Sequence, residues 1–379
     1  MKSDNRKPLI ISNPLSIDAQ VHSFESAATG LPALNFAIPH INIARLTARY
    51  ISGGSALKQG REVSRKRLSI AQAGIQNGDT YAHTIATQIE RFELALKLCA
   101  QKEMSVELLC DMHTLITPED NSRGRIREHQ NWVGADKIEN ATVVPPPPAE
   151  LNKLISEWEA FVKHEDITKP ANALLAFSYF IASHPFADGN GRLSRLLLTS
   201  FLSSKREFSS FLSPTLYRLN HFEQSREELF ATPRALIGGS WNDVISYWER
   251  AFAWQNGISQ VISERINSVW LALSSQLALY CQPVNAIALL KLLFDYPLVT
   301  LEMICKHLKL RVSDANELLT SFCDLGILKC LKLKQPAQMI VFSCEKVFEL
   351  WAKIDDLLFD PASFTAERAI AEVGGHQAV

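Results

Sequence analysis

Apolar positions along this chain recur mostly at three- and four-residue spacing, which predicts helices. The segment AHTIATQIERFELALKLCA shows it most clearly: Ile85, Ile89, Phe92 and Leu96 fall on one face, which therefore points to a core. VELLCDMHTLI follows with the same period. ANALLAFSYFIAS, residues 171–183, and LSRLLLTSFLSS, residues 193–204, read as largely buried helices. SWNDVISYWERAFAW carries aromatics at core spacing, and SQVISERINSVWLALSSQLALY continues as a connector helix. Ile126, Trp132, Val133, Thr142, Val143 and Val144 are instead strand formers. They flank a polar, turn-prone stretch from Gly134 to Asn140, which predicts a hairpin. Pro145–Pro148 then end any ladder and set a stiff polyproline II exit.

A separate pattern occupies residues 283–350. LLKLLFDYP reads as a helix closed by Pro297, Thr300 caps LEMICKHL, and Ser313 caps DANELLTSFCDLG, which ends at Gly326. ILKCLKL and QMIVFS follow as two strands. Three helices and a β-hairpin resemble a winged helix-turn-helix. Its second helix of the pair offers Asp314 and Glu317 and no Arg or Lys. Phosphate contacts dominate affinity for DNA, so this face favours protein or dimer contact, and Lys329, Lys332 and Lys334 on the wing compensate only in part. The stretch from Pro361 on is small and polar and reads as a frayed tail.

The chemistry concentrates in HPFADGNGRLSR, residues 184–195, between the two buried helices. Gly189 and Gly191 break both helices and let the backbone approach a ligand. N–H groups at a helix start bind anions, phosphates above all. Arg192 and Arg195, three residues apart, add full charge to one face. A carboxylate in such a cradle repels phosphate unless a divalent cation lies between, so Asp188 points to Mg2+. His184 stands at the rim with a pKa suited to taking a proton. Each of these residues alone reads as ordinary helix-loop-helix; together they read as a phosphate-transfer site.

The pattern His-x-Phe-x-Asp/Glu-Gly-Asn-Gly-Arg-x-x-Arg resembles the signature of Fic-domain proteins, with every specified position filled: His184, Phe186, Asp188, Gly189, Asn190, Gly191, Arg192 and Arg195. RIREHQNWVGADKIENATVVPPPP, residues 125–148, resembles the segment that forms the family's β-hairpin flap. The resemblance implies a mainly α fold: a Fic-type helical core with a β-hairpin flap, plus a C-terminal winged helix-turn-helix domain. The domains expected are an N-terminal helical region at 1–80, a catalytic core at 81–255, a connector helix at 256–282, the winged helix at 283–350 and a tail at 351–379.

The resemblance also implies a reaction. AMP moves from ATP, bound with Mg2+, onto a Ser, Thr or Tyr hydroxyl of a target protein or of the protein itself. His184 would act as the general base and Asp188 would hold the Mg2+. The backbone of Gly189, Asn190 and Gly191 would hold the α and β phosphates, helped by the Asn190 side chain. Arg192 would hold the β phosphate, Arg195 the γ phosphate, and Phe186 would anchor the loop. A relative with Lys at the second Gly acts as a kinase, so Gly191 favours nucleotidyl transfer. Another nucleotide or a phosphocholine donor stays open. The flap edge around Val133, Thr142 and Val143 would hold a target by strand addition. The family's base-side contacts come from the region of Tyr217, Asn220, His221 and Arg226, where this sequence departs from the common pattern and no contact is assigned.

Many relatives carry an inhibitory helix with Ser/Thr-x-x-x-Glu-Gly/Asn, whose Glu pairs with the second motif arginine. Ser69, Ala73 and Gly74 match its frame, but without the carboxylate that would neutralise Arg195. A naturally relaxed site, an engineered release and a chance match all remain open.

Composition narrows the rest. A net charge of −1 gives no global basic excess for nucleic acid. No run of roughly eighteen apolar residues occurs, so no transmembrane helix is expected. MKSDNRKPLI lacks the apolar core of a signal peptide. Seven scattered Cys without metal-ligand spacing read as buried thiols in a reducing cytoplasm. His83 and His113 read as satisfied structural histidines, and the basic run KQGREVSRKR as a solvated face. A second functional class stays beside the enzyme: a winged-helix regulator whose Fic core senses nucleotide. A homodimer contact is a further partner expected of the C-terminal module.

Overall fold

The computed structural model describes residues 8–12, 14–32, 38–58, 63–202, 213–217, 225–277, 283–333 and 339–359. The apolar periodicity becomes helix nearly throughout. The helices are α1 (Ile17–Ala27), α2 (Ile43–Lys58), α3 (Arg65–Gln72), α4 (Thr80–Gln101), α5 (Val106–Ile116), α6 (Pro148–His164) and α7 (Pro170–Ser183). They continue as α8 (Asn190–Leu202), α9 (Ser225–Gly238), α10 (Asn242–Ser274), α11 (Pro283–Asp295), α12 (Leu301–Leu308), α13 (Val312–Asp324) and α14 (Glu345–Phe359). The strands are short: β1 (Leu9–Ile10), β2 (Val143–Val144), β3 (Leu298–Val299), β4 (Lys329–Leu333) and β5 (Met339–Ser343). Among the described residues no helix is long and apolar enough to cross a membrane.

The chain divides into two compact units, Met1–Asn35 with Arg91–Asn256, and Phe36–Glu90 with Gly257–Val379. Both are discontinuous in sequence, whereas the sequence pattern set out contiguous segments. The divisions fall inside α4 and α10, whose apolar stripes run on without a break: Ile89 and Phe92 are buried, and so are Trp254 and Ile258.

In the first unit α7 is the central helix, packed against α1, α6, α8 and α9. Asn172–Phe180, Ala182 and Ser183 are all buried, as an apolar-all-round segment requires. Pro170 starts it, where a missing N–H costs nothing. Trp158 of α6 is fully buried, and its indole N–H donates to the Ala176 carbonyl at 3.0 Å.

The expected hairpin is smaller than its strand formers suggest. It consists of β2 and a bridge from Val133 to Val143. Ile126 takes no part, because the next residue, Arg127, turns its N–H to the Pro185 carbonyl at 2.9 Å. Gly134 makes the return possible: its φ is 97°, and a Cβ there would collide with the Thr142 side chain. The other edge of β2 is taken by β1, paired in parallel with Leu9 opposite Val143 and Ile10 opposite Val144. Pro148 is already helical, at the first turn of α6, so the polyproline exit ends at Pro147.

In the second unit, α11, α12 and α13 accompany an antiparallel sheet ordered β3-β5-β4. Thr300 caps α12 by accepting the Met303 N–H at 3.2 Å. Ser313 does not cap α13, which begins two residues earlier than that cap would place it, after Arg311. The Arg311 guanidinium grips Asp314 at 3.0 and 3.2 Å and holds this first turn, while the Ser313 hydroxyl donates to the same carboxylate. The basic run is not wholly a solvated face either. Arg65 is partly buried and pairs with the buried Asp355, whereas Arg67 pairs with Asp79 at the surface. His83 is satisfied by the Ile75 carbonyl at 3.0 Å. Cys99, Cys110, Cys305, Cys323, Cys330 and Cys344 are free thiols, but only Cys344 is buried, and Cys330 on the edge strand β4 is exposed. Cys281, Lys334 and the tail from Pro361 lie outside the described residues.

Candidate active site

His184 follows the last residue of α7 and takes the left-handed conformation, φ 49° and ψ 57°. Such a backbone is strained for a side chain with a Cβ and is held only where the surroundings demand it. Its Nδ1 lies 3.2 Å from the Ile181 carbonyl. A carbonyl only accepts, so Nδ1 carries the proton and Nε2 keeps its lone pair. Burial lowers the pKa to about 4, so the ring is neutral at pH 7.

The next residues form a closed turn. Phe186 is fully buried and stacks on His113, ring centroids 3.9 Å apart. The Asn190 side chain accepts the Phe186 N–H at 2.9 Å and donates to the Phe186 carbonyl at 2.8 Å. Its amide thus closes the turn with one N–H and one lone pair, which fixes the side chain against Phe186. His113 is a second clamp. Gly124 N–H donates to its Nδ1 at 2.9 Å, so the ring proton sits on Nε2, which faces the Asp188 carbonyl at 2.9 Å. Burial also lowers the His113 pKa. Gly189, at φ 77°, lies so close to Thr117 and His113 that a Cβ would come within 2.6 Å of Thr117 Cγ2.

The Gly189 carbonyl caps the N–H groups of Arg192 and Leu193 at 3.0 and 2.9 Å. For those of Asn190 and Gly191, at the helix mouth, no backbone acceptor occurs among the described residues. Arg192 reaches back one turn to Asp188 at 3.0 Å, and the Asp188 side chain is 78% exposed. Metal and phosphate would each take one partner of this pair. Arg195 folds across Gly191, with its Nη1 3.5 Å from where a Cβ on residue 191 would stand. Among the described residues no other side chain lies within 4 Å of that position, so their packing does not demand glycine there. A cradle that a Cβ would fill, at the start of a helix between two arginines, fits a nucleotide phosphate. An exposed carboxylate beside it would supply an oxygen ligand of the kind Mg2+ takes together with phosphates. Among the described residues no group of three or more His, Cys, Asp or Glu is arranged to hold a metal ion.

Beside the turn stands the flap segment. Val133 N–H donates to the Val143 carbonyl at 2.9 Å and Thr142 N–H to the Val133 carbonyl at 2.7 Å. Asn131 ties this segment to the Phe186 carbonyl at 3.1 Å. Arg127 is nearly fully buried and donates to the His184 carbonyl at 2.8 Å. Neither Arg127 nor His113 was assigned a place in the site from sequence. Their acceptors are backbone carbonyls far along the chain, which no local pattern displays.

Ser69, Ala73 and Gly74 belong to the other unit, at the end of α3. Ile75 N–H bonds the Ile70 carbonyl at 3.2 Å and Gly74 N–H the Ala71 carbonyl at 2.9 Å, with Gly74 at φ 72°. That is the Schellman pattern of helix termination, in which the left-handed position calls for glycine. Tyr217 is buried among Tyr247 and Trp254. Asn220 and His221 lie outside the described residues, as does the Arg226 side chain.

Residues 103–202 match the model of the Fic/DOC family. Protein adenylyltransferase Fic of Drosophila ananassae is 26% identical over 151 residues, which are 38% of this chain and 28% of that protein. The Drosophila virilis protein of the same name is 27% identical over 151 residues, 38% of this chain and 29% of that protein. The chain thus spans less than a third of the length of these relatives. Among solved structures, a Fic family protein from Desulfovibrio desulfuricans superposes with a TM-score of 0.45 at 12% identity, over 86% of this chain and 94% of that one. A Fic domain containing signaling protein from Bacteroides thetaiotaomicron gives 0.43 at 15% identity, over 64% and 96%.

Proposed function

Since residues 103–202 carry a Fic/DOC domain, we propose that this protein is an AMP transferase that moves AMP from ATP onto a hydroxyl side chain of a target protein or of itself. The observation that carries the proposal is the pairing of a neutral His184, with its Nε2 lone pair kept open, and an anion cradle on the following helix. Phosphoryl-type transfer needs positioning and charge stabilisation more than covalent help, and this arrangement supplies both.

His184 Nε2 takes the proton of the target hydroxyl as its oxygen attacks the α phosphorus. The helix-mouth N–H groups of Asn190 and Gly191 hold the nonbridging oxygens. Arg192 leaves Asp188 for the β phosphate, Arg195 holds the γ phosphate, and pyrophosphate departs. Asp188 is the residue that would hold Mg2+, which when bound supplies positive charge for the phosphates. The strand edge at Val133, Thr142 and Val143 presents the target in extended form. The module from α11 to β5 has the order of a winged helix, and its acidic α13 suits a protein or a second copy of this chain better than DNA.

Label transfer tests this. The protein is incubated with Mg2+ and ATP labelled on the α phosphate, in parallel with γ label, alone and with cell extract, beside a His184→Ala protein. Label from α only, lost in the variant, is the expected result. Label from γ only means a kinase orientation. No label with ATP still bound would shift the protein to a nucleotide sensor with the winged helix as its output.

A further inference from the structure

Arg123, Arg125 and Arg127 alternate along one short stretch, yet only the third is buried. Arg123 and Arg125 bond carbonyls a few residues away, Pro118 at 2.8 Å and Asn121 at 2.7 Å. Arg127 is 5% exposed. Its Nε–H donates to the His184 carbonyl at 2.8 Å, one Nη–H to His129 at 3.1 Å and the other to Pro146. Its backbone N–H holds the Pro185 carbonyl at 2.9 Å. No carboxylate among the described residues shares the charge, and burial lowers its pKa to about 10. A desolvated cation without a counter-ion is costly and needs a geometric reason.

The reason lies in what the carbonyls belong to. Those of His184 and Pro185 set the two peptide planes after α7, hence the strained backbone from which the imidazole projects. Those of His129 and Pro146 belong to the two ends of the flap segment. A planar guanidinium can serve several fixed acceptors at once, which an ammonium cannot. Asn131 adds a second tie, from the flap to Phe186.

We propose that Arg127, seconded by Asn131, is a positioning residue for the transfer step: it locks the base-bearing turn and the foot of the flap into one body. This rests on the reading of His184 as general base. Arg127 makes no bond to Asp188, Gly189, Gly191, Arg192 or Arg195 among those described, so its loss acts on alignment and spares nucleotide binding. Its charge also joins burial in keeping the imidazole neutral.

The test uses the full chain with Arg127→Lys, Arg127→Met and Asn131→Ala, beside the parent and His184→Ala. Transfer of AMP from α-labelled ATP is measured over ATP concentration and pH, and each protein's melting is recorded. A misplacement near 1 Å is enough to lower kcat about 100-fold. That loss is expected in both Arg127 variants, with KM for ATP within about twofold of the parent. In Arg127→Met the acid limb of kcat/KM should also move to higher pH. Folded Arg127 variants with parental kcat, or a loss wholly in KM, would overturn the proposal. If neither Arg127 variant folds, Asn131→Ala decides, since Asn131 is half-buried. Lowered kcat at unchanged KM supports the proposal, and parental kcat overturns it. A parent that transfers nothing sinks the general-base reading and this inference with it, whereas an active parent beside unimpaired variants sinks this inference alone.

Discussion

Gly189 and Gly191 stand two residues apart and need glycine for different reasons. At Gly189 the fold itself demands it, through a left-handed φ and the contact with Thr117. At Gly191 the backbone is helical, and among the described residues only Arg195 lies near a would-be Cβ, at an ordinary van der Waals distance. Alanine is better than glycine in a helix by about 1 kcal/mol. Gly191→Ala should therefore melt at or above the parent temperature. The same methyl projects into the cradle, so affinity for Mg2+ and ATP should fall about tenfold or more, roughly 1.4 kcal/mol. Calorimetric titration beside a melting curve separates the two effects, and unchanged ATP affinity would remove phosphate from this cradle. At this scale the motif was legible because its members are contiguous and their types are tied to one chemistry. The use of the Asn190 amide was not, because an amide that closes a turn and one that binds a ligand look alike in sequence.

Among elements, α3 shows how one pattern can have two causes. Ser69, Ala73 and Gly74 match an inhibitory frame, yet the helix end explains Gly74 by itself through its left-handed position. Ala73 also packs beside Ile75, Leu298 and Val341, so an added carboxylate there meets apolar neighbours. A charge effect must therefore be separated from a packing effect. If the segment regulates transfer, Ala73→Glu should depress AMP labelling at least about tenfold relative to Ala73→Gln, which has the same size without the charge. Equal labelling by the two variants, at equal melting temperature, would leave helix termination as the segment's whole role. The flap teaches the same lesson. Its strand formers were legible, but the parallel pairing of β1 with β2 was not, since two residues at the other end of the chain carry no register signal.

At the scale of the whole chain, the unit boundaries escaped the sequence because they lie within continuous helices, and because charges that look solvated are internal. Arg49 and Arg65, both partly buried, form one cluster of the second unit with the buried Tyr50 and Asp355, joining α2, α3 and α14. The Arg65 guanidinium also lies over the Trp351 ring, 4.4 Å from its centroid. Burial alone would raise the Asp355 pKa, but Arg65 and Arg49 bring it down to about 2 from an ordinary 3.8. The native carboxylate thus binds its proton less readily than the unfolded one. Its contribution is complete above pH 3.8 and is lost as pH falls through about 2, so it does not explain any loss of stability between pH 7 and 5. Asp355→Asn keeps the shape but removes the charge that two partly buried guanidinium groups share, at a cost of about 3 kcal/mol. Hydrogen exchange at pH 7 should then rise in the peptides of α3 and α14. Urea unfolding should shift by the same energy at pH 7, and the gap between variant and parent should narrow as pH approaches 2. An unchanged urea midpoint at pH 7 would mean that the attraction in this cluster does no more than offset its own desolvation.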